Sequence, residues 1–203
     1  MDIPGYLLAA AALAASRYLF PGRIGYAILC LTMMAALPAA YIRFRGKKQA
    51  DFLLASGDVG GGLRISAILL AIAMPIMYYG STLPDFKAYY PTWQPAAANL
   101  WNFALYELYM LALMVATEVF YRGYLMNLLS EDTKYGNHIH AFIYMLAHVG
   151  KPPLEVIYSL PVGFIFGRVD AKYKSILPSL TMHYVSSVIF DLMVIYQAGK
   201  FLI

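Results

Sequence analysis

The sequence predicts an all-α protein, a polytopic bundle of about seven transmembrane helices. Two observations carry this. The 203 residues are 61% hydrophobic and only 13% charged, with a mean hydropathy of +0.61, whereas a soluble domain is about one-quarter charged. Apolar runs long enough to cross a bilayer also recur along the whole chain.

The first run, 4–20, follows Met-Asp, has no basic start and holds Arg17, so it reads as a retained helix rather than a cleaved signal. Runs 24–42 and 64–80 come next, separated by the basic stretch "RFRGKK" at 43–48. Residues 81–97 place prolines and aromatics at turn and interface positions and predict an external loop. The run 98–130 is overlong and predicts a tilted helix. Runs 136–150 and 153–168 are short, which suits the protected interior of a bundle, and 175–197 closes the series. Segment 1–97 thus supplies three helices and a loop, and 98–203 the helices that carry the chemistry, within one membrane domain.

Basic residues cluster at 43–48, at Lys134, and at Arg168, Lys172 and Lys174. With seven spans these loops share one side, expected to be cytoplasmic, and the N-terminus lies with them. The chain is therefore expected in the cell membrane, multi-pass, with the lipid bilayer as its surroundings. The net charge of +4 marks a membrane face and is no sign of nucleic-acid binding. The single cysteine, Cys30, excludes an intramolecular disulfide and reads as a small buried hydrophobe.

Glu118, Arg122, His148, Glu155 and His183 interrupt the apolar runs of the second half. Each is costly in lipid, so each is expected to face the bundle interior. Antiparallel neighbours bring residues equidistant from their turn to one level. Glu118 and His148 are centred on Thr133, His148 and Glu155 on the turn "GKPP", and Glu155 and His183 on Val169. One layer of two carboxylates and two imidazoles is therefore expected. Such a set suits hydrolysis, because a desolvated carboxylate accepts a proton from water and imidazoles hold water or stabilise an oxyanion. Zinc would use the same side chains, but the chain has no HExxH helix, and no metal or other cofactor is expected. Arg122, four residues after Glu118, reads as its charge partner. Glu155 reads equally as a reactive carboxylate or as an acid complementing a helix N-terminus. Glu107 and Asp191 are weaker candidates, and His138 and His140 read as interfacial.

In this order the motifs resemble the CPBP family, the CAAX proteases and bacteriocin-processing enzymes, which are glutamic-type intramembrane endopeptidases related to the Ras-converting CAAX endopeptidase. "TEVFYRG" (117–123) is similar to the family's EExxxR motif, "YMLAH" ends at His148 with Tyr144 for the usual Phe, and "HYVSS" gives His183 and Ser187 where the family has HxxxN or HxxxD. "HVGKPPLE" and "GFIFGRVDAKYKSILPSLTMH" add to the resemblance, which covers about 98–191. Two departures stand out: Thr117 replaces the first glutamate of the pair, and Ser187 replaces the final Asn or Asp.

The resemblance implies peptide hydrolysis in which Glu118 activates a water held by His148, while His183 and Ser187 stabilise the oxyanion. Glu155 would orient His148 or share the base role. The substrate would be a peptide or protein segment entering from the membrane, such as a hydrophobic tail, a prenylated tail or a leader peptide. Thr117 and Ser187 keep open a non-catalytic scaffold or chaperone. A proton-coupled carrier would use the same acidic layer, but no inverted repeat is detectable.

Overall fold

The computed structural model describes residues 1–200, and every regular element among them is helical. The last three residues of the predicted 98–203 segment lie outside this range. The elements are α1 (Ile3–Tyr18), α2 (Arg23–Phe44), α3 (Val59–Thr82), α4 (Pro84–Tyr89), α5 (Leu100–Asp132), α6 (Gly136–Ala147), α7 (Pro153–Tyr173) and α8 (Leu177–Gln197). Asp2 opens α1 by accepting from the Gly5 N–H, and Asn99 opens α5 by accepting from the Asn102 N–H.

Four helices, α2, α3, α5 and α8, are long and apolar enough to cross a membrane. The other three predicted crossings differ from them for identifiable reasons. α1 has only 16 residues. α6 has 12 residues and, at about 1.5 Å per residue, reaches roughly 18 Å, against about 30 Å of hydrocarbon. α7 carries Arg168, Asp170 and Lys172 in its last turns. The predicted loop 81–97 is also more ordered than expected, since it contains α4 and a 3₁₀ turn at Gln94–Ala97.

Successive helices run alternately between two ends. At one end the N-terminus pairs with Asp132, Arg45 bridges Asp2 and Glu131, and Lys47 reaches Glu131. The 53–58 segment joins the α7–α8 turn there through Asp58 N–H to Tyr173 O and Ile176 N–H to Leu53 O. The three basic segments therefore gather at one end. At the other end Arg17 donates to Val149 O, and the 81–97 segment folds back so that Tyr90 and Phe86 pack on Phe190 of α8.

The polarity of the bundle suits lipid. Ile68, Ile72 and Ile76 of α3 and Leu105 and Leu108 of α5 are exposed, while Glu118, Arg122, Asp170 and Asp191 are buried. One core spans both halves of the sequence, since Ala9, Ala12, Cys30 and Met34 pack with Phe120, Tyr121 and Tyr124. Small residues bring α6 and α7 together. Ser159, Gly163 and Gly167 repeat every four residues along α7, and a Cβ at Gly163 would lie 2.9 Å from Tyr144 Cδ1.

Candidate active site

α5 departs from α-helical geometry immediately after Glu118, where Val119–Leu125 forms a π-helical turn. Such turns leave carbonyls without their usual i→i+4 donors. Asn127 compensates, its side-chain amide donating to Arg122 O at 2.8 Å and Gly123 O at 3.0 Å. The widened turn places both Glu118 and Arg122 on the inner face of α5, where each is 0% exposed.

The Glu118 carboxylate is fully engaged. Its Oε1 accepts from His183 Nδ1 at 2.7 Å. Its Oε2 accepts from Ser179 Oγ at 2.8 Å and lies 3.2 Å from Arg122 Nε. A carboxylate only accepts, so His183 Nδ1 carries the proton and, in the neutral ring, Nε2 keeps its lone pair. The His183 side chain is 22% exposed and Glu118 is not exposed at all, so the imidazole is the accessible member of the pair.

Tyr144 organises the space beside this pair. Its ring centroid lies 4.5 Å from that of His148 and 6.4 Å from that of His183. The Arg122 guanidinium sits over the same ring at 4.0 Å and faces Phe166 at 5.3 Å. His148 ends α6, and its Nδ1 donates to Tyr144 O at 2.8 Å, so its neutral ring also keeps an Nε2 lone pair. Glu118 and His183 thus touch directly, and the His148 and His183 rings both pack on Tyr144.

Glu155 does not join this contact. Its carboxylate accepts from Tyr90 Oη at 2.7 and 2.8 Å and from Lys151 Nζ at 2.8 Å. The expected mirror about Val169 fails because α7 runs on to Tyr173 and the turn falls near Ser175. About that later centre His183 is level with Gly167, and Phe166 packs against the His183 ring at 6.3 Å. Glu155 instead pairs with Lys151 and is tied through Tyr90 to the folded-back 81–97 segment. Burial and the adjacent Glu155 carboxylate hold the Tyr90 phenol well above its ordinary range.

The remaining predicted residues sort as follows. Ser187 lies one turn beyond His183 on α8 and is half-buried. Thr117 spends its hydroxyl on Leu113 O at 2.8 Å, one turn back on its own helix. His140, expected at the interface, is buried and bonded to Asn137, because α6 starts at Gly136 and carries it one turn inward, whereas His138 stays exposed. Glu107 and Asp191 are both buried with carboxylate oxygens that have no side-chain or backbone donor. Among the described residues no group of three or more His, Cys, Asp or Glu side chains is arranged to hold a metal ion.

Sequence reasoning missed Ser179 and Asp170. Ser179 precedes His183 by one helical turn, which was a readable signal. Asp170 lay hidden in a stretch read only for its positive charges.

The segment that carries the Glu118, Arg122, His148, Ser179 and His183 contacts, from the start of α5 to the middle of α8, is also the segment with a family match. Residues 99–189 match the family described as type II CAAX prenyl endopeptidase Rce1-like. No curated protein and no solved structure matches the chain. The Rce1-like segment contains Glu118, Arg122, His148, Glu155, Ser179, His183 and Ser187, and it leaves out α1–α3 and Tyr90. Residues 99–189 are thus similar to CAAX-type prenyl endopeptidases, and four helices of the chain are long and apolar enough to cross a membrane.

Proposed function

We propose that the chain is an intramembrane endopeptidase in which water is activated by the Glu118–His183 pair rather than by Glu118 alone. The observation that carries this reading is the 2.7 Å contact between Glu118 Oε1 and His183 Nδ1, made by a carboxylate with no solvent exposure. In this reading a water donates one hydrogen to His183 Nε2 and the other to His148 Nε2, which leaves its lone pair free to attack the scissile carbonyl. His183 takes the proton as the O–C bond forms, and Glu118 stabilises the imidazolium without itself becoming protonated. Ser187 donates to the carbonyl oxygen as it becomes an oxyanion. The tetrahedral intermediate collapses with cleavage of the C–N bond, and the imidazolium returns the proton to the departing amine. No metal takes part.

The substrate is a peptide segment presented from the lipid, and the family description makes prenylated C-terminal tails the first class to test. α1, α6 and α7 complete a seven-crossing bundle with α2, α3, α5 and α8, and the basic end with the N-terminus faces the cytoplasm.

The non-catalytic reading has its own support in Thr117, whose hydroxyl is tied to its own helix and cannot replace a carboxylate. Purified full-length chain in proteoliposomes, given a farnesylated C-terminal peptide, its unprenylated form and a hydrophobic leader peptide, decides between them. The endopeptidase reading expects cleavage of at least one peptide, abolished by His183→Ala and by His148→Ala. If wild-type protein cleaves none while remaining folded, the scaffold reading replaces it.

A further inference from the structure

Behind the Glu118–His183 pair lies a second set of polar contacts. Ser179 sits in the first turn of α8, 1% exposed, and its hydroxyl donates to Glu118 Oε2 at 2.8 Å. Its backbone N–H, one of those that a helix N-terminus leaves without an intrahelical acceptor, donates to Asp170 Oδ1 at 3.1 Å. Asp170 is on α7 and is 0% exposed. Three helices are therefore joined in sequence, from Asp170 on α7 to Ser179 on α8, to Glu118 on α5, and back to His183 on α8.

The order of these contacts has a chemical consequence. A glutamate carboxylate turns about three side-chain bonds and can present either oxygen, or neither, to an imidazole. Ser179 removes that freedom by occupying Oε2 from one side while Arg122 lies at 3.2 Å from the same atom. Only Oε1 remains, and it faces His183 Nδ1. Asp170 in turn fixes the position of Ser179 by holding its backbone. Since Ser179 and His183 are one turn apart on α8 (i, i+4), the same helix carries both the group that orients Glu118 and the group that Glu118 orients.

We propose that Ser179 and Asp170 are positioning residues that keep the Glu118 carboxylate from turning away from His183, so that the proton stays on Nδ1 and the lone pair on Nε2. The inference rests on the endopeptidase reading for its effect on turnover, but the tautomer itself is measurable without a substrate. Neither residue touches the reacting atoms. Second-layer hydrogen bonds of this kind are typically worth about 10–100-fold in activity.

The test uses full-length chain in detergent micelles with ¹⁵N-labelled histidine, the four histidines being assigned by single substitutions. Wild-type His183 is expected to show a protonated Nδ1 and an unprotonated Nε2 in its neutral form. Ser179→Ala is expected to mix the two tautomers and to lower kcat about 10-fold or more with KM nearly unchanged. Ser179→Thr, which keeps the hydroxyl, recovers most of the loss. Asp170→Asn, whose amide oxygen still accepts from the Ser179 N–H, shifts the His183 signals less than Ser179→Ala does. Should Ser179→Ala not accumulate, Ser179→Cys keeps the shape with a much weaker donor and is expected to give the same spectrum. Unchanged His183 signals in the alanine and cysteine variants overturn the proposal, whatever happens to activity. Altered signals with an unchanged kcat overturn it as well. If wild-type protein cleaves no peptide, the endopeptidase reading fails, and the histidine spectrum still decides whether Ser179 sets the tautomer.

Discussion

Glu118→Gln is the perturbation that tests the site most sharply, because it keeps shape and volume and changes only which atoms donate. The carboxylate accepts on both oxygens: from His183 Nδ1 at 2.7 Å on one, and from Ser179 Oγ at 2.8 Å on the other, which also lies 3.2 Å from Arg122 Nε. A glutamine has one oxygen and one NH₂, so it can keep only one side of this pattern. The buried guanidinium and the Ser179 hydroxyl both favour the oxygen on their side, which turns the NH₂ toward His183. Nδ1 must then accept, the proton moves to Nε2, and the lone pair that would take a proton from water is lost. In serine proteases the corresponding acid-to-amide change costs about 10⁴-fold in kcat, and loss of a general base alone costs about 10²–10⁴-fold. We expect a fall in kcat/KM of roughly 10³–10⁴-fold, which is about 4–5.5 kcal/mol of transition-state stabilisation at 1.36 kcal/mol per decade. The assay is cleavage of an internally quenched peptide by protein in proteoliposomes, normalised to folded enzyme. Normalisation matters because the variant also leaves Arg122 without its charge partner. A loss below tenfold, or His183 ring signals identical to wild type, would refute the reasoning and place the base elsewhere.

Arg122→Ala removes the guanidinium that faces Glu118 and packs on Tyr144 and Phe166; stranding a buried charge typically costs about 3–5 kcal/mol, so a large drop in thermal midpoint and in folded yield is expected by differential scanning fluorimetry. Ser187→Ala is expected to lower kcat by about tenfold, less than His148→Ala or His183→Ala, since it removes one oxyanion donor and leaves the base intact; equal losses from all three in steady-state kinetics would contradict that ranking. Tyr90→Phe removes the phenol hydrogen that the Glu155 carboxylate accepts and should raise hydrogen exchange across 84–97 while kcat falls less than tenfold. Because the folded-state Tyr90 phenol is held above its ordinary range, the bond it donates is retained at neutral pH and lost only as pH rises through that raised value, so protection of 84–97 should be flat from pH 6 to about 9. Prolonged chelation with activity assays before and after should leave cleavage unchanged; activity that returns only with added zinc would show a metal enzyme.

The helical bundle was legible because hydropathy is a bulk signal, and each long apolar run has its helix. Depth within the bundle was only half legible. Glu118 and His183 meet as reflection across turns suggested, yet Glu155 does not, because "GRVDAKYKS" was read as a loop while Asp170 and its neighbours continue α7 for another turn and a half. Arg168 and Lys172 look like loop residues by charge, but on a helix near a membrane face they extend into water while Asp170 turns inward. The π-helical turn after Glu118 left no trace in hydropathy, and its compensating residue, Asn127, reads by itself as an ordinary polar residue. Tyr90 was hidden for a different reason. Its contact with Glu155 joins residues 65 apart in sequence, and only the folding-back of 81–97 brings them together.

Thr117 bears most directly on how such a site could work. The family pattern has two adjacent carboxylates, and in this chain the first is replaced by a hydroxyl that is committed to Leu113 O within its own helix. Adjacent positions on a helix point about 100° apart, so Glu118 cannot simply swing into the direction Thr117 faces, least of all while Ser179, Arg122 and His183 hold its carboxylate. In the proposed mechanism the Glu118 carboxylate therefore does not contact the water itself, and the proton goes to the His183 imidazole that Glu118 polarises. Restoring the missing acid tests that logic: in Thr117→Glu the new carboxylate can reach water independently of His183. His183→Ala would then retain measurable cleavage in the Thr117→Glu background and none in the wild-type background. Equal loss in both backgrounds would mean that His183 is required for something other than the proton.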